Sequence, residues 1–347
     1  MRALFQYLMR NSSVLVGFFL LFAACNSGPK TPEKQILRGD ALGTTYGISY
    51  ISKTPLLTSA AMDSLIKVVN QSMSTYWPDS DISKINRGDT SVVVEPMFRQ
   101  VFDLSELVYK SSGGYFDPTV GPLVNAWGFG PEKALEMTPN RVDSLMTYVG
   151  FSKVSLLPSG KINKSDPAIY FDFNAIAKGY TLDRIALILD RLGVTDYLIE
   201  LGGELVAKGR NTISEKQWLV GIDHPKNEDR NNPIVLVQLE DRALASSGNY
   251  RKFRVDPETG EKFVHTINPL TGYSENSATL AASVLAPNCA LADGYATAFM
   301  AMGYEKAIAL AASLEDIEVY LIFVNAEGAL DQYMSEGFKQ VVYEQAE

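Results

Sequence analysis

Cysteine and histidine are the scarce residues of this 347-residue chain: only Cys25, Cys289, His224 and His265 are present. If Cys25 carries lipid, as the N-terminal segment suggests, one thiol and two imidazoles remain, which makes a structural zinc site improbable, so any metal would more naturally be held by oxygen. A basic surplus is missing as well. The formal net charge is -9, and because residues 1–24 contribute +2 through Arg2 and Arg10, the remainder carries -11. That balance excludes the electropositive footprint of a nucleic-acid binder, though not a local basic pocket. No G-x-G-x-x-G follows a strand signal, which excludes dinucleotide binding in the Rossmann manner. No internal repeat of fixed period is visible. What remains is an ordinary globular composition, 46% hydrophobic and 20% charged, long enough for one large domain or two modest ones.

The N-terminus reads as a targeting segment. Arg2 and Arg10 form a positive region ahead of the apolar run Val14–Ala24, which is too short for a comfortable membrane span. The run ends in Leu21-Phe22-Ala23-Ala24-Cys25, which resembles a bacterial lipoprotein signal with Cys25 as the lipidated first residue. Residues 1–24 are then a signal peptide, 25–35 a polar tether and 36–343 the folded domain. A lipidated Cys25 leaves no partner for an intramolecular disulfide. The expected location is the bacterial cell envelope, anchored to a membrane and facing the periplasm.

The stretch Ile169–Leu192 reads as strand, polar turn and helix in one pass. Ile169-Tyr170-Phe171 suits a buried strand, Asn174 sits where an N-cap would, and Ile176, Tyr180, Ile185, Ile188, Leu189 and Leu192 follow near helical spacing. Free backbone N–H groups at such a junction favour an anion. Lys178, in the first helical turn, opposes the helix dipole and calls for a compensating negative charge, and Asp172 is placed to accept from a ligand's donors. A capped helix with a solvated lysine fits this segment equally well.

Elsewhere, Ile36–Ile51 reads as a strand interrupted by Gly43, and Thr58–Ser74 as a helix. Val92–Tyr109 begins as a short strand and becomes helical after Pro96. Residues 113–130 combine two prolines and five glycines with Phe116, Val120, Leu123, Trp127 and Phe129, so this loop must pack inward or line a pocket. Strands are expected at Asp196–Leu201, Trp218–Ile222 and Val235–Leu239, with Gly202-Gly203 allowing close backbone approach. Ala243–Tyr250 and Val264–Gly272 look like paired strands, Asn288 caps a helix Cys289–Met302, and Glu305–Leu314 and Glu318–Val324 follow as helix and strand. This mixed order favours an α+β domain with largely antiparallel sheet and flanking helices over a doubly wound fold. Within Cys289–Met302, Asp293 and Thr297 lie four apart on one face and could give two oxygens to a hard cation such as Mg²⁺. For an isolated D-x-x-x-T, a dipole-favoured Asp and a core Thr is the commoner reading.

Eight blocks stand in the order of a known family: LGTTY (42–46), MSTYWPDSDIS (73–83), GGYFDPTVGPLVNAWGFG (113–130), DFNAIAKGYTLD (172–183), LGGE (201–204), SSGNY (246–250), HTINPLTG (265–272) and ADGYATAFMAMG (292–303). In these the chain resembles the ApbE family of FAD:protein FMN transferases. The resemblance implies a Mg²⁺-dependent enzyme that cleaves FAD and moves FMN onto a Thr or Ser of a target flavoprotein, releasing AMP. The acceptor would be a flavoprotein such as a subunit of a Na⁺-translocating NADH:quinone oxidoreductase or an Rnf-type complex. It places FAD contacts at Leu42, Tyr76, Tyr115, Phe116, Asp117, Asp172, Lys178 and Ile267, with Tyr76, Tyr115 and Phe116 offering flat faces. It places the metal at the Ala175 carbonyl, Asp293 and Thr297, and a base or phosphate contact at His265. An FAD pyrophosphatase giving FMN and AMP, or a lipid-anchored FAD carrier, would share most of these motifs.

Overall fold

Alternating apolar residues along several segments dictate a sheet with two buried faces. The computed structural model describes residues 31–224, 233–249, 253–255, 262–274 and 277–343. Its main sheet has eight strands: β1 (Glu33–Ala41), β2 (Thr44–Ser52), β3 (Tyr197–Leu201), β4 (Glu204–Lys208), β5 (Arg242–Gly248), β6 (Thr279–Ala286), β7 (Glu318–Val324) and β8 (Leu330–Met334). Every neighbour pair is antiparallel, and the spatial order is the chain order. The fold is therefore α+β, a sequential meander into which helices and small hairpins are inserted, and not a Rossmann fold.

Successive residues of each strand face opposite layers. Ile199, Ala245, Val284 and Leu321 join one core with the helices. Leu205, Leu244, Leu285 and Ile322 join a second core under the hairpin Trp218–Ile222/Val235–Leu239 and Phe338. Four helices cover the first face: α1 (Ser59–Met73), α2 (Pro96–Ser111), α3 (Asn174–Arg191) and α4 (Cys289–Met302). Thr58 caps α1 through Ala61 N–H, and Glu95 caps α2 through Met97 and Phe98 N–H, with Pro96 opening that helix where its missing N–H costs nothing. Helix α4 is the central one. It is buried almost all round, including Tyr295, Phe299 and Met300, as a helix without a polar face must be. Among the described residues, no helix is long and apolar enough to cross a membrane.

Several expectations are corrected. Residues 36–51 form a hairpin turning at Leu42-Gly43 rather than one interrupted strand, and β1 starts at Glu33, inside the segment read as tether. Ile169–Phe171 is extended but makes only one bridge, Tyr170 to Val120, because its backbone is taken by Asn86, which both donates to Phe171 C=O and accepts from its N–H. No strand forms at Val92; Val94 N–H instead bonds Gly160 C=O at 2.8 Å. The segments 243–250 and 264–272 do not pair with each other: β5 lies between β4 and β6, while Lys262–Val264 pairs with Phe253–Val255. The helix expected at Glu305–Leu314 spans Tyr304–Ala311.

Candidate active site

Two tight turns meet at one end of the sheet. Leu42-Gly43 joins β1 to β2 with φ of 50° and 76°, and Gly202-Gly203 joins β3 to β4 with φ of 65° and 106°. Positive φ at both positions suits the right-handed twist of the strands such turns connect. Gly202 N–H bonds Thr45 C=O at 3.1 Å, and a Cβ on Gly202 would lie 2.8 Å from Thr44 Cγ2, so the turns sit side by side. Leu42 holds a left-handed conformation that costs a non-glycine residue about 1–2 kcal/mol, a strain of the kind that gathers at functional sites.

The Gly202-Gly203 turn delivers Glu204, only 4% exposed, against helix α3. There Lys178 ion-pairs with Glu204 Oε1, and its Nζ also lies 4.0 Å from Asp293 Oδ1 on α4. Asp293 Oδ2 accepts from Gly179 N–H at 3.0 Å. Helices α3 and α4 cross closely here, for a Cβ on Gly179 would collide with the Cys289 carbonyl and lie 2.9 Å from Ala290 N. One turn on, Asp183 of α3 accepts from Cys289 and Ala290 N–H at 2.7 and 2.9 Å, closing the N-terminus of α4 together with Asn288. The compensation sought for Lys178 is thus supplied by two carboxylates, and the lysine lies a turn deeper in the helix than its first turn.

The electrostatics follow from one ammonium facing two buried acids. Burial lowers the Lys178 pKa, but Asp293 and Glu204 outweigh it and leave the ammonium above its ordinary value. Burial, aided by repulsion from Asp293 and opposed by Lys178, pushes Glu204 up to about 7. Burial likewise pushes Asp183 up to about 6 against its two N–H donors. Among the described residues, Glu204 Oε2 is buried with no hydrogen-bond partner, an arrangement that costs about 1–3 kcal/mol. Such an atom is placed for a donor or cation arriving from outside.

Other expected site residues fall around this crossing with varied freedom. Asp172 is buried; its Oδ1 accepts from Asn174 N–H at 2.7 Å, so Asp172 rather than Asn174 caps α3, and Phe173 occupies the cap position. The ring of Tyr76 is 60% exposed, and burial of the phenol end together with the Asp172 carboxylate pushes its pKa up. Asp117 is committed locally: Oδ1 accepts from Thr119 N–H and hydroxyl at 2.8 and 2.6 Å, and Oδ2 from Phe151 N–H at 3.0 Å. Phe116 lies 3% exposed in the main core, so of the three flat faces expected, its ring is not an open one. Tyr115 is half-buried, with the Lys306 ammonium 5.0 Å from its ring centroid.

Ile267 packs with Leu123 and Trp127, and Trp127 Nε1–H bonds Gly272 C=O at 2.9 Å, so the 113–130 loop packs inward and docks on the 265–272 segment. His265 is half-buried in that segment, beside Thr266, whose hydroxyl bonds Asn249 Oδ1 at 2.7 Å. Ala175 and Thr297 are half-buried on α3 and α4. Cys25 lies outside the described residues.

Among the described residues no three His, Cys, Asp or Glu side chains form a metal cluster. The donors expected from the resemblance are one carboxylate, a hydroxyl and a carbonyl. These hard oxygens suit a cation such as Mg²⁺ that keeps water and takes further ligands from a bound phosphate. Glu204 and Asp183 were not singled out from sequence. Each lies inside a quoted block, and the signal for Glu204 was Lys178 itself, a helix cation needing a carboxylate from elsewhere in the chain.

Fold and site together define an α+β domain with a buried cluster of one lysine and two carboxylates where helices α3 and α4 cross. The sequence profile of the ApbE family matches residues 42–321, and the chain belongs to that family. It is 34% identical to the FAD:protein FMN transferase of Haemophilus influenzae over 94% of this chain and 96% of that protein. It is 33% identical to the protein of the same name from Vibrio cholerae over 95% of this chain and 98% of that protein. Among solved structures, the flavin transferase ApbE from Vibrio cholerae superposes with a TM-score of 0.78 at 32% identity, covering 89% of this chain and 99% of that one. The ApbE protein of Thermotoga maritima gives 0.76 at 25% identity, covering 90% and 100%.

Proposed function

We propose that this protein is a Mg²⁺-dependent FAD:protein FMN transferase of the bacterial envelope, lipidated at Cys25 and facing the periplasm. The observation that carries the reading is the Lys178–Glu204–Asp293 cluster at the α3–α4 crossing, in a chain whose relatives bear that enzyme name. Two carboxylates against one ammonium repel a pyrophosphate. Asp293, Thr297 and the Ala175 carbonyl would hold a hard cation, which would offset the two acids and neutralise charge on the phosphoryl group. Lys178 then pairs with the phosphates, while the open ring of Tyr76 and the half-buried Tyr115 flank the flavin or adenine. The Leu42 turn and Ile267 supply apolar walls, and Asp172 and Asp117 hold the backbone that shapes the pocket.

The acceptor's Thr or Ser hydroxyl attacks the FMN phosphorus, the P–O bond to AMP breaks, and the hydroxyl proton passes to His265. Histidine is the side chain suited to accepting such a proton near neutrality. The acceptor is a flavoprotein, such as a subunit of a Na⁺-translocating NADH:quinone oxidoreductase or an Rnf-type complex.

The test combines the protein, residues 26–347, with FAD, Mg²⁺ and a candidate acceptor, with and without EDTA. In-gel flavin fluorescence on the acceptor and equimolar AMP, both lost with EDTA and in Asp293→Ala, are expected. AMP and free FMN without labelled acceptor would replace transfer by hydrolysis. Bound FAD without AMP would leave a carrier, and full turnover by Asp293→Ala would remove the metal assignment.

A further inference from the structure

Glu204 pairs with Leu201 through its backbone but gives its carboxylate to a helix. It opens β4, is 4% exposed, and its side chain leaves the strand to meet Lys178 on a helix that arrives 26 residues earlier in sequence. Its Oε1 takes the ammonium, and its Oε2 has no hydrogen-bond partner among the described residues. A carboxylate serving stability alone would be expected to fill both oxygens. Two glycines in the preceding turn, both at positive φ, bring the backbone close enough to Thr44 for Glu204 to start its strand at this depth. Without Glu204, the carboxylate left beside Lys178 is Asp293, 4.0 Å away and already holding Gly179 N–H.

We propose that Glu204 is a positioning residue for Lys178. It keeps the ammonium off Asp293, so that Asp293 remains available to a cation and the lysine stays at the mouth of the site for an anionic ligand. This rests on the FAD-site reading above, but its first consequence is independent of FAD. With Glu204 neutralised, the Lys178 ammonium shifts toward Asp293. Glu204 then acts on ligand binding only through Lys178, so its effect disappears when Lys178 is replaced.

The experiment uses the purified protein in four forms: wild type, Glu204→Gln, Lys178→Met and the double variant. Labelling of Lys178 by acetic anhydride without ligand is read by mass spectrometry against Lys208 as internal reference. A change of threefold or more in Glu204→Gln is expected, and an unchanged rate would show that Glu204 does not hold the lysine. FAD affinity is read by flavin fluorescence with Mg²⁺. Glu204→Gln is expected to weaken it about tenfold, and the double variant to bind within twofold of Lys178→Met alone. A further tenfold loss in the double variant would mean that Glu204 contacts the ligand itself, overturning the positioning role. Should Glu204→Gln fail to fold, the double variant, which leaves neither charge alone, still gives that comparison. If wild type binds no FAD, the function reading falls while the labelling result stands.

Discussion

Asp183 illustrates how a single side chain can be both a structural clasp and a proton site. Its two oxygens hold the first N–H groups of α4, yet burial raises its carboxyl to about 6, above the ~3.9 of an unfolded chain. Between those values the folded protein binds the proton more tightly than the unfolded one, so this group's contribution to stability falls as pH rises. Measured by urea unfolding, wild type relative to Asp183→Asn should therefore lose up to ~3 kcal/mol from about pH 4 to 7 and level off above. A difference that grows with pH would mean the two N–H donors outweigh burial. At this scale sequence was a partial guide. Lys178, Asp172 and Asp293 stand out because a charge in an apolar helical or strand context needs explaining, whereas Glu204 and Asp183 do not, since their partners lie on other elements. Phe116 and Asp117 matched the motif, but their side chains serve the core and the loop.

The α3–α4 crossing is the element on which the site depends, and Gly179 sets its distance. Gly179→Ala puts a methyl group into the Cys289 carbonyl, where neither backbone can yield without moving Asp293. Overpacking of this sort costs about 1–3 kcal/mol. The variant should unfold at a correspondingly lower urea concentration and bind FAD more weakly. Unchanged stability and affinity would mean that the helices part without consequence. Helices α1, α2 and α4 were readable in advance because their periodicity, caps and proline positions are local. The pairing of β5 was not. Its alternation is the same whichever neighbour it takes, and only the layers above and below the sheet choose β4 and β6.

At the scale of the whole molecule, the proposed site draws on residues from Leu42 to Thr297, and a sequential meander returns each connection to the sheet's ends. That is why eight scattered blocks identified the family when no single one could. The proposed anchor belongs to this scale too. Cys25→Ser in the full chain should abolish incorporation of radiolabelled palmitate and release the protein from the membrane fraction, and persistent labelling would move the lipid elsewhere. That replacement also leaves Cys289 as the sole thiol. It is wholly buried as the first residue of α4, and burial with the neighbouring Asp183 and Asp293 carboxylates holds its pKa well above the usual thiol range. A sulfur so placed is chemically silent until α4 lifts from α3. Its alkylation rate is therefore a built-in clock, counting how often the crossing breathes in the native protein and by how much a bound ligand slows it.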